Sequence, residues 1–162
     1  YLPKVMRQKN IDDAMDILKQ AARGLGYYHL ADIYGHMSGI ESIHDDFEIL
    51  NPDRDMLLHS NHYITERFKA ADTAPQLQPD SYHRLDRIRS LFNQHYGNIN
   101  VEIVKEILAD HDHHPNSICR HIDPTVPISS KTLASFIMVP GEESIYIAAG
   151  NPCEYEYVRY TF

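Results

Sequence analysis

Residues 27–50 read YYHLADIYGHMSGIESIHDDFEIL, and the fold class turns on them. Tyr27 to Ile33 and Met37 to Ile43 are short runs rich in Tyr, Ile and Leu, parted by Tyr34-Gly35-His36. Such runs around a glycine-bearing turn predict an antiparallel hairpin. Phe47 to Leu50 continues as a third strand, and Asn51-Pro52-Asp53 is turn chemistry, because Pro presets its backbone and Asn and Asp bond their own. Met56 to Tyr63, MLLHSNHY, reads as one further strand.

Working outward, the period changes on both sides. Ile11, Ala14, Met15, Leu18 and Ala22 follow the spacing of an amphipathic helix. Asn10 is its expected cap, with Asp13 reaching back, and Gly24 and Gly26 its expected end. Downstream, TERFKAADTAPQLQP (65–79) has weak periodicity and two prolines and reads as a surface loop. Asp80 or Ser81 is then expected to cap a helix buried along Tyr82, Leu85, Ile88, Leu91 and Phe92 and stopped by Gly97. Asn100 caps another that carries Val101, Val104, Ile107 and Leu108. Residues 111–130, with three prolines, read as irregular. Three β-type runs close the chain: Thr132 to Val139, Ser144 to Ala149, and Glu154 to Phe162. Helices segregated from antiparallel strands predict an α+β class, taken as a single domain over residues 1–162.

Composition excludes several functions. The chain has 162 residues and a net charge of −8, from 15 basic and 23 acidic side chains. That is no nucleic-acid footprint, and the short KQAARG and HRLDRIR stretches read as solvated helix faces. No apolar run reaches the roughly 18 residues of a membrane span. YLPKVMRQKN has neither an initiator Met nor the apolar core of a signal peptide, so the chain is read as a processed product or fragment. Two cysteines, Cys119 and Cys153, make no disulfide framework; reduced thiols point to the cytoplasm.

Three clusters are able to carry chemistry. His111, His113, His114 and His121, with Asp110, Asp112 and Asp123, offer metal donors. Their spacing matches no helical H-x-x-x-H pair, Pro115 breaks the segment, and no cysteine lies close before it. A helix end running into a polar loop is the preferred reading, no metal is assigned, and a metal-dependent enzyme stays as an alternative. His59-Ser60-Asn61-His62 sits at a strand end, where the Asn61 amide suits an oxyanion or turn backbone. In Asn116-Ser117-Ile118-Cys119-Arg120, Arg120 is positioned to lower the pKa of Cys119, although a buried structural Cys is the simpler account. Cys153 reads as structural.

HSNHY (59–63), DSYHRLDRIRSLF (80–92), DHDHHPNSICRH (110–121), and TLASFIMV followed by AAGNPCEYEY (132–139 and 148–157) resemble the isopenicillin N acyltransferase family. ADIYGHMSGIE (31–41) fits the same pattern. The resemblance implies the C-terminal part of a four-layer αββα N-terminal-nucleophile hydrolase fold with antiparallel sheets. It also implies a precursor that cuts itself before a cysteine, which then attacks amide or thioester carbonyls through an acyl-cysteine. Residue by residue, it places Asn61 in the oxyanion hole, Arg120 beside the nucleophile, and Ser117 in processing and activity. The nucleophile belongs upstream of this chain, so the chain alone is expected to be inactive. Exposed strand edges are then expected to pair with the upstream segment of the precursor or with a second copy. The implied partner is a small-molecule amide or an acyl-CoA co-substrate, with no cofactor required. A non-catalytic relative of the same fold is the other alternative.

Overall fold

The computed structural model describes residues 2–20, 26–44, 46–127 and 129–162. The chain divides into two compact units, one formed by Tyr1–His59, Tyr63–Asp72 and Pro140–Glu142, the other by Ser60–His62, Thr73–Val139 and Glu143–Phe162.

In the first unit a short helix α1 (Leu2–Val5) precedes α2 (Ile11–Gln20). The start of α2 is the reciprocal cap that the sequence predicts. The Asp13 amide donates to Asn10 Oδ1 at 2.9 Å, and Asn10 Nδ2 donates to Asp13 Oδ2 at 2.9 Å, satisfying an otherwise orphaned helix N–H. Ala14, Met15 and Leu18 form the core of this unit with Val5 and Ile40. Ala22 and Gly24 lie outside the described residues. Gly26, expected to close the helix, is instead the first residue of β1 (Gly26–Ala31).

β1 pairs antiparallel with β2 (Met37–Ile43), and β2 with β3 (Asp46–Leu50), in the order β1-β2-β3. The turn forms where expected because the Asp32 carboxylate accepts the amides of Tyr34 and His36, at 2.9 and 3.0 Å, and Gly35 takes a φ of +86°. β2 is the central strand and is buried from Ser38 to Ser42. Gly39 is glycine for a steric reason: a Cβ there would lie 2.6 Å from Tyr27 Oη.

Residues 56–63 do not form the expected strand. Met56 pairs only with Asp53, in an isolated bridge. Further on, the Asn61 amide is taken by a side-chain oxygen, Ser81 Oγ, and just past the segment Ile64 N and Thr65 N donate to the Glu41 carboxylate. An apolar run alone cannot make a strand when its hydrogen-bonding groups are so committed. The expected loop at 65–79 contains two single-turn helices, α3 (Glu66–Lys69) and α4 (Ala74–Leu77).

The second unit holds α5 (Asp80–Gln94) and α6 (Val101–Leu108). Asn100 caps α6 as predicted, its Oδ1 accepting from Ile103 N at 3.0 Å. Asp80 and Ser81 are not caps: Pro79 holds that position and both are buried within the first turn of α5. Of the expected stripe, Leu85 is buried while Tyr82 is exposed and stacks on His62, with ring centroids 3.9 Å apart. β4 (Ser135–Val139), β5 (Ser144–Ala148) and β6 (Val158–Thr161) form a second antiparallel sheet in the order β4-β5-β6. Cross-strand partners share a face, so Phe136, Ile147 and Val158 make one row and Met138, Ile145 and Tyr160 the next. Phe136, Met138, Val158 and Tyr160 are all exposed. On the other face, Lys105 of α6 lies 5.1 Å from the Tyr146 ring. The class is therefore α+β with two small antiparallel sheets, as the sequence predicts. No helix among the described residues is long and apolar enough to cross a membrane.

Candidate active site

All three residues singled out in the sequence, Asn61, Ser117 and Arg120, line one pocket of about 240 Å³ in the second unit. Arg84, Lys131 and Thr132 complete its polar wall. The first turn of α5 organises it. Asp80 is buried and bridges two guanidiniums: Arg84 Nε reaches Asp80 Oδ2 at 2.9 Å, and Arg120 Nη2 reaches Asp80 Oδ1 at 2.9 Å. Burial pushes the Asp80 carboxyl up, but Arg84 and Arg120 more than reverse it, so it lies below the usual carboxylate range.

Arg84 then fixes Asn61. Its Nη2 donates to Asn61 Oδ1 at 2.7 Å. A guanidinium has donors only, so the atom facing it is the amide oxygen and the NH₂ group must point away. The Asn61 backbone is held as well, donating to Ser81 Oγ at 2.8 Å. Arg120 is fixed through Asn116 Oδ1, at 2.8 Å from Nη2, and through a backbone exchange with Thr132, whose Oγ1 accepts Arg120 N at 3.0 Å and whose amide donates to Arg120 O at 2.9 Å. Arg120 Nε is buried with no partner among the described residues. Ser117 is fully buried and its hydroxyl donates to Cys119 O at 2.6 Å, so within the pocket it is left only to accept. The wall thus offers donors, a side-chain amide and two guanidiniums, arranged around small polar space. Such an arrangement stabilises developing negative charge on an oxygen.

Cys119 lies in the chain between two lining residues, Ile118 and Arg120. Cys119 is fully buried, which agrees with the structural reading and leaves no approach for a substrate carbonyl. Its Sγ is 3.4 Å from Cys153 Sγ and 3.7 Å from His121 Nε2.

The family model described as "Acyl-coenzyme A:6-aminopenicillanic acid acyl-transferase" matches residues 5–154. The chain belongs to this family. A comparison with curated proteins gives no match. In this member of the acyl-transferase family, sequence reasoning finds three pocket residues and misses the two that hold them, Asp80 and Arg84. DSYHR is read from the sequence as a helix start and as part of a family motif, with no site role given to either residue. The signal available was chemical: an Asp and an Arg at i, i+4 on a helix are neighbours, and a second arginine turns the pair into a bridge.

The His-rich segment is the end of α6 running into a polar loop, as the sequence predicts. Its carboxylates are committed elsewhere: Asp110 to Arg87 at 2.6 Å, Asp112 to His83 at 3.0 Å, and Asp123 to Thr125 at 2.5 Å. Two of its histidines, His111 and His121, instead meet the two thiols. These four donor atoms all lie within 4.8 Å of one another. Cys153 arrives from 34 residues away, so no ligand spacing in the sequence could announce the group.

Proposed function

We propose that this chain forms part of an enzyme that cleaves or transfers acyl groups through an acyl-cysteine, with a four-layer αββα arrangement completed by an upstream segment of the same precursor. The observation that carries the reading is the locked amide of Asn61, whose NH₂ is turned away from Arg84 in a pocket also lined by Arg120 and Ser117. The family membership supports it. The open apolar rows of the β4-β5-β6 sheet support the layering, since a sheet face of this kind suits a second sheet.

In this reading a cysteine Sγ, freed at the N-terminus by self-cleavage upstream, attacks the carbonyl carbon of an amide or thioester. The carbonyl electrons move onto oxygen, and Asn61 Nδ2 donates to that oxyanion. Collapse breaks the bond to the leaving amine or thiol, which takes up a proton, and the acyl group remains on sulfur. Water or an acceptor amine then repeats the sequence and restores the thiol. Arg120 holds charge near the reacting centre. Ser117 braces the Cys119 carbonyl and so the arginine that follows. The cationic lining suits an oxyanion rather than an apolar acyl chain.

The test uses the full precursor. Intact mass and the N-terminal residue should show cleavage before a cysteine. Asn61→Ala should then lower turnover of an amide or thioester substrate by about 10²–10³. Unchanged turnover would remove Asn61 from the site, and an uncut chain without an upstream cysteine would point to a non-catalytic relative.

A further inference from the structure

We infer that Cys119, Cys153, His111 and His121 form a binding site for a zinc ion. The donor set is the first argument. Two thiol sulfurs and two imidazole nitrogens are the S₂N₂ set that suits tetrahedral zinc. Geometry is the second. Zinc with sulfurs at about 2.3 Å and nitrogens at about 2.0 Å would hold its ligand atoms about 3.3–3.8 Å apart in a tetrahedron. Four of the six separations lie close to this: Cys119 Sγ to Cys153 Sγ is 3.4 Å, Cys119 Sγ to His121 Nε2 is 3.7 Å, Cys153 Sγ to His121 Nε2 is 3.4 Å, and His111 Nε2 to His121 Nε2 is 3.0 Å. All four donor atoms lie within 4.8 Å of one another, so His121 Nε2 faces both sulfurs and the His111 ring.

The surroundings complete the argument. His121 Nδ1, on the far side of the ring, lies 3.7 Å from Glu154 Oε1; a carboxylate there orients a metal-bound imidazole and raises its basicity. Asn151 is buried, and its Nδ2 donates to Cys119 Sγ at 3.4 Å and to Arg120 O at 2.7 Å. An N–H directed at sulfur favours the thiolate that a metal requires. Each thiol releases its proton to solvent as a sulfur–zinc bond forms, and no electrons are transferred. Cys119 is buried while Cys153 and His111 are exposed, which gives the ion a route in.

Four protein ligands leave no open coordination position, so the site is structural rather than catalytic. Its consequence for the pocket is local. Arg120 lies between Cys119 and His121 in sequence, and the ion would clamp the chain on both sides of it. The site stands whether or not the pocket carries out acyl transfer.

The test is metal content and metal titration of the chain purified reduced and without chelator. We expect one zinc per chain, thiols shielded from a thiol reagent until a chelator is added, and cobalt(II) in place of zinc giving thiolate charge-transfer and tetrahedral visible absorption. Cys153→Ser, at an exposed position, should abolish the cobalt thiolate absorption from Cys153 and lose stoichiometric zinc. Glu154→Gln should keep the fold and weaken zinc by about tenfold. A reduced, folded chain that binds neither zinc nor cobalt, with thiols equally reactive with and without zinc, would overturn the inference. So would isolation of a Cys119–Cys153 disulfide that forms in preference to metal binding when zinc is supplied to the reduced chain.

Discussion

Glu41 and Asp80 are buried carboxylates, one in each unit, and both lie below the usual carboxylate range, but they are held there by different donors. Glu41 accepts from His59 Nε2 at 2.7 Å, Ile64 N at 2.6 Å, Thr65 N at 3.0 Å and Thr65 Oγ1 at 2.5 Å. Its donors are an imidazole, a hydroxyl and two backbone amides, and together they tie His59, Ile64 and Thr65 to the central strand β2. Asp80 is held by two guanidiniums, and each has a further contact, Arg84 with Asn61 and Arg120 with Asn116. The same side-chain chemistry therefore serves two ends. Glu41 fastens a chain segment. Asp80 orients two side chains that line the pocket.

The sharpest way to break this comparison is a pair of isosteric substitutions. In the full precursor, Asp80→Asn should lower turnover about 10²-fold, because Arg84 and Arg120 lose the charge that positions them. Glu41→Gln should lower stability by about 1–3 kcal/mol, since it turns an NH₂ toward donors that need an acceptor, while leaving turnover per folded molecule unchanged. If Asp80→Asn retains full turnover, or folded Glu41→Gln is inactive, the assignment of roles is reversed.

A smaller effect appears with pH. Burial pushes both carboxyls up, and their hydrogen bonds and, for Asp80, the two arginines more than reverse it. At pH near the ordinary value of about 4 the unfolded chain therefore binds more protons than the folded one. This contribution to stability is fully present above that value and is lost as pH falls through the lowered values. Urea midpoints measured across this acid range should fall, and each isosteric variant should flatten the slope. An unflattened slope in Glu41→Gln would mean that Glu41 takes no part in it.

The smallest effect sharpens the Glu41 side. Tyr27 stacks on His59 with centroids 3.7 Å apart and planes at 3°, and its hydroxyl is buried with no partner among the described residues. Burial, and then Glu41, push that hydroxyl up to about 12. Tyr27→Phe keeps the stack and removes an unpaired group, so thermal unfolding should show a stability unchanged or raised by about 1 kcal/mol. A clear loss would reveal a partner for the hydroxyl, such as bound water.

What was legible in the sequence was whatever depends on near neighbours. The Asn10–Asp13 cap, the hairpin turn at Tyr34-Gly35-His36 and the Asn100 cap each join residues a few positions apart, and each forms as read. Residues 56–63 do not pair as a strand: Met56 bonds only Asp53, and the Asn61 amide goes to Ser81, 20 residues on. Period and composition carry no trace of such acceptors. Asp80 and Ser81 look like caps, the commonest use of their short polar side chains at a helix start, but arginines and a neighbouring segment claim them first. Asn61, Ser117 and Arg120 were found through family resemblance rather than spacing. The thiol–imidazole group was missed because its second sulfur comes from the connection between β5 and β6, 34 residues along the chain.

The contact from Arg84 to the Asn61 oxygen has a consequence for how variants of this protein sort in a screen. Aspartate at position 61 would keep an oxygen toward Arg84, add a charge to the contact, and lack the NH₂. Selection on foldedness would accept that change, and selection on turnover would reject it. The two criteria would diverge at position 61 because Arg84 takes the oxygen of the amide and the proposed acyl-transfer step needs its NH₂.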